Sequence, residues 1–224
     1  MGAGRCRARR IEPYMIRRYI GKQTEAALSS LALALDNRGV TPNTLTVIGL
    51  AINVGAALAY YAGLWFAGGL IILFAGLFDM LDGAVARAGG RASHIGAFID
   101  SVVDRYSDFL VFGGILAHFA VSGDLWRTLL VLAVILGAFQ VSYIRARAEL
   151  VIPKCDVGLM ERAERIILLA AGSLSGFLDA ALWVLALLTH LTAFYRIHYT
   201  IKTDRKTSRP DPPPSNDDPS SFHG

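Results

Sequence analysis

The sequence predicts an all-α integral membrane protein: a bundle of six transmembrane helices preceded by an amphipathic helix lying at the membrane interface. Three observations carry this. Hydrophobic residues make up 54% of the 224 and the mean hydropathy is +0.45, above the roughly 45–50% apolar usage of a soluble domain. Several apolar runs reach the ~20 residues that cross ~30 Å of hydrocarbon, and the bilayer requires their backbones to be helical. The 22 Lys and Arg residues crowd around the ends of those runs, as residues that orient a membrane protein do. The net charge of +4 therefore speaks for membrane orientation and against nucleic acid as a partner. Cys6 and Cys155 are the two cysteines, too few for a disulfide framework or a zinc cluster.

The chain divides into a basic leader (1–13), an amphipathic juxtamembrane helix (14–40), a six-helix domain (41–201) and a disordered cytoplasmic tail (202–224). The basic run from Arg5 to Arg10 leads into Ile11-Glu12-Pro13 and not into an apolar core, so the first spanning segment is expected to direct insertion. From Tyr14 to Asn37 apolar and basic residues mix with charge concentrated in the first half, the mark of an interfacial helix. Arg38-Gly39 ends it, and Thr41-Pro42-Asn43-Thr44 supplies a polar cap and a proline for the next helix. Spans are expected at 44–62, 64–86, 97–120, 125–148, 165–174 and 178–198. The fifth is short unless its helix begins near Met160. Beyond Lys202 the chain is rich in Pro, Ser and Asp and lacks the apolar groups to pack.

The connections alternate in charge. Those at Gly63, at Ser122 to Asp124 and at Ser173 to Gly176 carry no Lys or Arg, and Arg127 is the one basic residue near that side. The positive-inside rule then puts both termini in the cytoplasm, and the expected location is the cell (cytoplasmic) membrane. Gly113-Gly114 and Gly137 are candidates for close helix packing.

Four aspartates carry the chemistry. The second segment ends with Asp79 and Asp82, three apart, and the third begins with Asp100 and Asp104, four apart, so each pair projects from one helix face. At ~1.5 Å per residue Asp79 lies ~22 Å along a helix entered at Leu64, near the inner surface. Asp100 and Asp104 alone would also suit a favourable N-terminal turn. Four carboxylates gathered at a membrane edge repel one another and call for cations. Oxygen ligands without His or Cys favour Mg²⁺, with Mn²⁺ as the alternative, over zinc, and two such ions can clamp a transferring phosphoryl group. Gly83 would let a phosphate or base approach the backbone, and Arg87, one turn on, suits a phosphate.

These residues resemble the signature of the CDP-alcohol phosphotransferase family, D-x2-D-G-x2-A-R, eight or nine residues, then G-x3-D-x3-D. Asp79, Asp82, Gly83, Ala86, Arg87, Gly96, Asp100 and Asp104 match every position. The resemblance implies that a CDP-linked lipid such as CDP-diacylglycerol binds with its pyrophosphate on two metal ions, that an alcohol attacks the phosphorus bearing the lipid, and that CMP leaves. It implies that Asp79, Asp82, Asp100 and Asp104 hold metal and that Asp104 also accepts the acceptor's proton. Pro42, Asn43, Thr44, Gly83, Arg87 and Ser93 would meet the CDP moiety, and the family implies a homodimer.

A second basic group, Arg145, Arg147, Arg162, Arg165 and Arg196, lies at inner helix ends. Such ends gather basic residues regardless of function, but arginines converging on one cavity suit a phosphorylated acceptor. The stretches 142–149 and 155–165 resemble bacterial phosphatidylinositol-phosphate synthases, which implies inositol phosphate as acceptor, met by Ser142, Arg145, Arg165 and Arg196. Those enzymes usually carry Lys where this chain has Arg145. Glycerol 3-phosphate is the alternative acceptor. A different class, an ion-coupled transporter, would place its carboxylates near the midplane on broken helices.

Replacing Asp104 with Asn is expected to abolish CMP release, by roughly 10²–10⁴-fold as for a lost general base, while CDP-lipid still binds. Turnover at the parental rate would remove Asp104 from that role.

Overall fold

In the computed structural model, residues 33–34, 41–90 and 93–207 are described. Six helices form among them: α1 (Pro42–Tyr61), α2 (Trp65–Ala88), α3 (His94–Val121), α4 (Leu125–Ala148), α5 (Arg162–Ser175) and α6 (Leu178–Thr207). The leader and most of the 14–40 stretch lie outside the described residues, where only Leu33 and Ala34 are seen, both helical. The tail from 208 also lies outside them. Helix α6 continues past His198, where the apolar run was expected to end, and takes in residues 202–207 of the expected tail.

Among the described residues four stretches are long and apolar enough to cross a membrane: Thr44–Tyr61, Trp65–Arg87, Leu125–Ala148 and Leu178–Arg205. Large apolar side chains point outward from these helices, among them Leu58, Phe66, Phe74, Leu132, Phe139 and Phe194, as lipid-facing residues must. Helix α3 has 28 residues but carries Asp100, Asp104, Arg105 and Asp108 between its start and its middle turn. Helix α5 has 14 residues, which at 1.5 Å each reach ~21 Å, short of the hydrocarbon thickness. Its start at Arg162 shows why the fifth apolar run is short: the helix opens with charged residues.

The chain forms two compact units, residues 1–53 with 74–107, and residues 54–73 with 108–224. In the first, Leu45, Leu81, Ala84 and Val85 form a small buried cluster with Phe78 against it. Thr41 caps α1, its hydroxyl accepting from the Thr44 amide at 3.3 Å, and Pro42 follows at the position where a missing N–H costs nothing.

In the second unit, α6 packs against α4 and α5 around a core that includes Tyr60, Ile115, Val131, Val134, Leu169, Leu182 and Leu185. The buried Tyr60 hydroxyl is paired with Ser173 at 2.9 Å. The turn after α1 uses Gly63 at φ 75°, and His118 fills the space beside it: a Cβ there would come within 2.8 Å of the imidazole. Nδ1 of His118 donates to the Tyr61 carbonyl at 2.9 Å, and Trp65 stands edge-on to the same ring at 4.7 Å.

Arg127, the lone basic residue on the uncharged side, proves to be neutralised. Its guanidinium bonds Asp124 at 2.8 Å and Asp179 at 2.7 Å, tying the start of α4 to the start of α6. Asp124 also caps α4 by accepting from the Arg127 amide. That amide first, and then the guanidinium, hold the Asp124 carboxyl below its usual range.

The glycines set aside for close packing divide. A Cβ at Gly114 would lie 2.3 Å from the Ala57 carbonyl oxygen and one at Gly137 would lie 2.1 Å from Thr189 Oγ1, while Gly113 has nothing within 4 Å. Gly114→Ala should therefore cost about 1–3 kcal/mol through overpacking, read as a lower Tm in detergent. Gly113→Ala should leave Tm unchanged. Equal behaviour of the two variants would remove the packing role.

Candidate active site

The acidic site is built in the first unit by three helix segments. Asp79 and Asp82 stand on the last three turns of α2, and Asp100 and Asp104 on the first three turns of α3. Asp82 is the deepest, at 5% exposure, and one of its oxygens, Oδ2, accepts from the Thr46 hydroxyl of α1 at 2.9 Å. The charges of Asp100 and Asp79 act on it directly. Asp79 packs against α1 where Gly49 leaves room, since a Cβ there would stand 3.3 Å from Asp79 Oδ1. Asp104 is partly exposed, with the Arg105 guanidinium 3.9 Å away. Arg105 Nη1 itself donates to the Ser101 carbonyl.

Thr46 and Gly49 were not singled out from the sequence. Their signal was present: Thr46, Gly49 and Asn53 follow a spacing of three and four along an otherwise apolar helix, a polar or small stripe on one face. Asn53 is buried and its amide donates to the Gly49 carbonyl at 3.0 Å.

Other signature residues have local structural work. Ser93 caps α3, its hydroxyl accepting from the Gly96 amide at 3.0 Å, and a Cβ at Gly96 would press on that hydroxyl at 3.1 Å. Arg87 is exposed and folds back along its own helix, where a Cβ at Gly83 would meet its Nη1 at 3.3 Å. Thr44 is exposed and its hydroxyl is 2.9 Å from that of Thr41. The side chains of Pro42 and Asn43 lie outside the described residues.

Among the described residues no three acidic, His or Cys side chains are drawn close enough to form a finished cation cage. The donor chemistry nonetheless fits a hard divalent metal. Every candidate ligand is a carboxylate, and a nearly buried one with two like charges acting on it needs compensation that neutral donors, the Thr46 hydroxyl and the Gly83 amide, supply only in part.

The basic group lies in the second unit and divides into two. Arg145 spends all three nitrogens on carboxylates: Glu149 at 3.0 Å, Asp156 at 2.8 Å and Glu161 at 3.3 Å. Asp156 is held below the usual carboxylate range, first by the Lys154 ammonium and then by Arg145. Arg196, 1% exposed, donates to the carbonyls of Val157 and Val141, each at 2.7 Å, and reaches Glu161 at 3.5 Å. Glu161 thus joins Arg145 to Arg196. Arg165 is buried elsewhere in the unit's bonding scheme, on Asp108 at 2.6 Å and the Met160 carbonyl at 3.0 Å. Ser142 is half-buried, its hydroxyl 3.5 Å from the Ala138 carbonyl, and Arg147 is exposed.

The family model for CDP-alcohol phosphatidyltransferase matches residues 39–195. The chain belongs to the CDP-alcohol phosphatidyltransferase family. Within it, a phosphatidylinositol phosphate synthase of Mycobacteroides abscessus is 40% identical over 192 residues, covering 80% of this chain and 86% of that protein. An archaetidylinositol phosphate synthase of Methanothermobacter thermautotrophicus is 38% identical over 170 residues, covering 73% and 85%. A crystal structure of Mycobacterium tuberculosis phosphatidylinositol phosphate synthase with CDP-DAG bound superposes with a TM-score of 0.74 at 32% identity, over 83% of this chain and 98% of that one. The same enzyme in complex with manganese and citrate gives 0.73 at 32% identity, over 85% and 96%. Membership makes this chain a phosphatidyltransferase and decides for group transfer over ion-coupled transport.

Thr46→Val should weaken activation by Mn²⁺ about tenfold, the usual cost of losing a hydrogen bond that orients a metal ligand. Titrating CMP release against the cation reads the shift, and an unchanged midpoint would count against Thr46 as the partner of Asp82.

Proposed function

We propose that this enzyme transfers a phosphatidyl group from CDP-diacylglycerol to the hydroxyl of inositol phosphate, releasing CMP at the cytoplasmic face of the cell membrane. The arrangement proposed is a six-span domain over residues 41–201, with an N-terminal interfacial helix (14–40), a leader (1–13) and a tail (202–224). Both termini are cytoplasmic and the enzyme is a homodimer.

Asp79, Asp82, Asp100 and Asp104 hold two Mg²⁺ ions, for which Mn²⁺ can substitute. When bound, the cations neutralise the pyrophosphate and polarise the phosphorus under attack. Pro42, Asn43, Thr44, Gly83, Arg87 and Ser93 hold the CDP moiety. The acceptor hydroxyl attacks the phosphorus that bears the lipid, its proton passes to the Asp104 carboxylate, and the bond to CMP breaks. Asp104 suits the proton transfer because it is less buried than Asp82 and can exchange its proton with water.

Ser142, Arg145, Arg165 and Arg196 bind the acceptor. The observation that carries the phosphorylated acceptor is Arg165: a guanidinium 2% exposed whose Nε is buried without a hydrogen-bond partner among the described residues. An unmet buried donor on a fixed cation is costly unless an anion completes it. The names of the relatives, a phosphatidylinositol phosphate synthase and an archaetidylinositol phosphate synthase, support the same acceptor.

The test offers inositol 1-phosphate, glycerol 3-phosphate, inositol and serine side by side to the purified protein with CDP-diacylglycerol and Mg²⁺. CMP release is expected with inositol 1-phosphate alone. Release with glycerol 3-phosphate alone would replace the acceptor assignment and leave the transferase standing.

A further inference from the structure

Arg162 and Arg165 stand at the first turn of α5, and one carboxylate serves both. Asp108 Oδ2 accepts from Arg165 Nη2 at 2.6 Å, and Asp108 Oδ1 lies 3.5 Å from Arg162 Nε. The side chains of Asp108 and Arg162 are each 15% exposed and that of Arg165 is 2%. With Nη1 of Arg165 donating to the Met160 carbonyl, two of its three nitrogens have fixed directions. The plane of the guanidinium is thereby set, and its Nε is the donor left over. Arginine binds a phosphate well only when that plane is presented correctly, because its donors form a rigid fork.

The two groups differ in how their guanidinia are held. Arg145 spends all three of its nitrogens on carboxylates. Arg165 meets one carboxylate, Asp108, at a helix N-terminus that adds partial positive charge, and keeps one donor over. Asp108 itself follows Asp104 by one turn of α3 and lies beyond the family signature.

We infer that Asp108 is a positioning residue for the acceptor's phosphate, acting through Arg165 without touching substrate. This rests on the reading that Arg165 meets that phosphate. Two effects oppose each other when Asp108 is neutralised. Loss of its negative charge alone would tighten anion binding. Release of the guanidinium would weaken it, and in a buried, hydrogen-bonded pair the loss of a partner is the larger effect.

The experiment measures KM for inositol 1-phosphate and for CDP-diacylglycerol in the Asp108→Asn, Asp108→Glu and Arg165→Gln variants of the full chain. Asp108→Asn should raise the acceptor KM about tenfold or more, the effect of breaking such a pair, with the donor KM unchanged. Asp108→Glu, which keeps the charge, should recover most of the loss. An unchanged or lower acceptor KM, or an equal rise in both constants as general loosening would give, overturns the inference. If Arg165→Gln weakens the acceptor and Asp108→Asn does not, the role of Asp108 fails while the acceptor reading stands. If Arg165→Gln leaves the acceptor KM intact, that reading falls and the inference falls with it. Should the Asn variant not fold, Asp108→Glu decides: a rise of about twofold or more in the acceptor KM alone supports the positioning role, and no selective rise overturns it.

Discussion

A carboxylate that leaves water must gain a hydrogen-bond donor or a positive charge, and that requirement organises both units of this protein. In the first unit Asp82 is almost fully buried, takes one hydroxyl from Thr46, and stays under the field of Asp79 and Asp100. The compensation it lacks is what a divalent cation supplies. In the second unit the same demand is met within the chain for Asp108, by Arg165 and Arg162, while the more exposed Asp156 pairs with Lys154 and Arg145, and Asp124 and Asp179 pair with Arg127. Carboxylates paired within the chain hold elements together, whereas Asp82, buried among like charges, belongs to the candidate metal group.

The buried arginines obey the complementary rule. Arg196 satisfies its guanidinium chiefly on backbone carbonyls and so pins α6 to the end of α4 and to the loop before α5. Arg145 gathers Glu149, Asp156 and Glu161 around one group. An arginine can do this because its three nitrogens point in three directions, whereas a lysine presents a single point charge. The chain thus has a physical reason for Arg, and not Lys, at 145.

Close approach of helices depends on a few positions without side chains. Gly114 and Gly137 lie against Ala57 and Thr189 with no room for a Cβ, and at Gly49 a Cβ would stand 3.3 Å from Asp79 Oδ1, a tight contact. Gly83 and Gly96 act locally, giving space to Arg87 and to the cap hydroxyl of Ser93. Two signature glycines therefore have structural work within their own helices.

Much of this was legible in the residues. The apolar runs and the turn residues foretell the helices, because lipid demands length, apolarity and internal hydrogen bonding together. The three- and four-residue spacing of the aspartates places each pair on one helix face, since the helical period alone decides it, and the family signature carries the chemistry. Thr46 and Gly49 were visible only as a faint stripe, because a threonine or glycine in an apolar helix has many uses. Which carboxylate pairs with which arginine lay beyond the sequence altogether. Arg165 meets Asp108 across 57 positions and Arg196 meets Val141 across 55, and no local rule links residues so far apart. The sequence by itself determined a helical membrane protein with an acidic transferase signature. Only tertiary packing decided that Asp82 is the buried member of that signature, and which carboxylate each buried arginine meets, because burial and partner choice are properties of the packed chain.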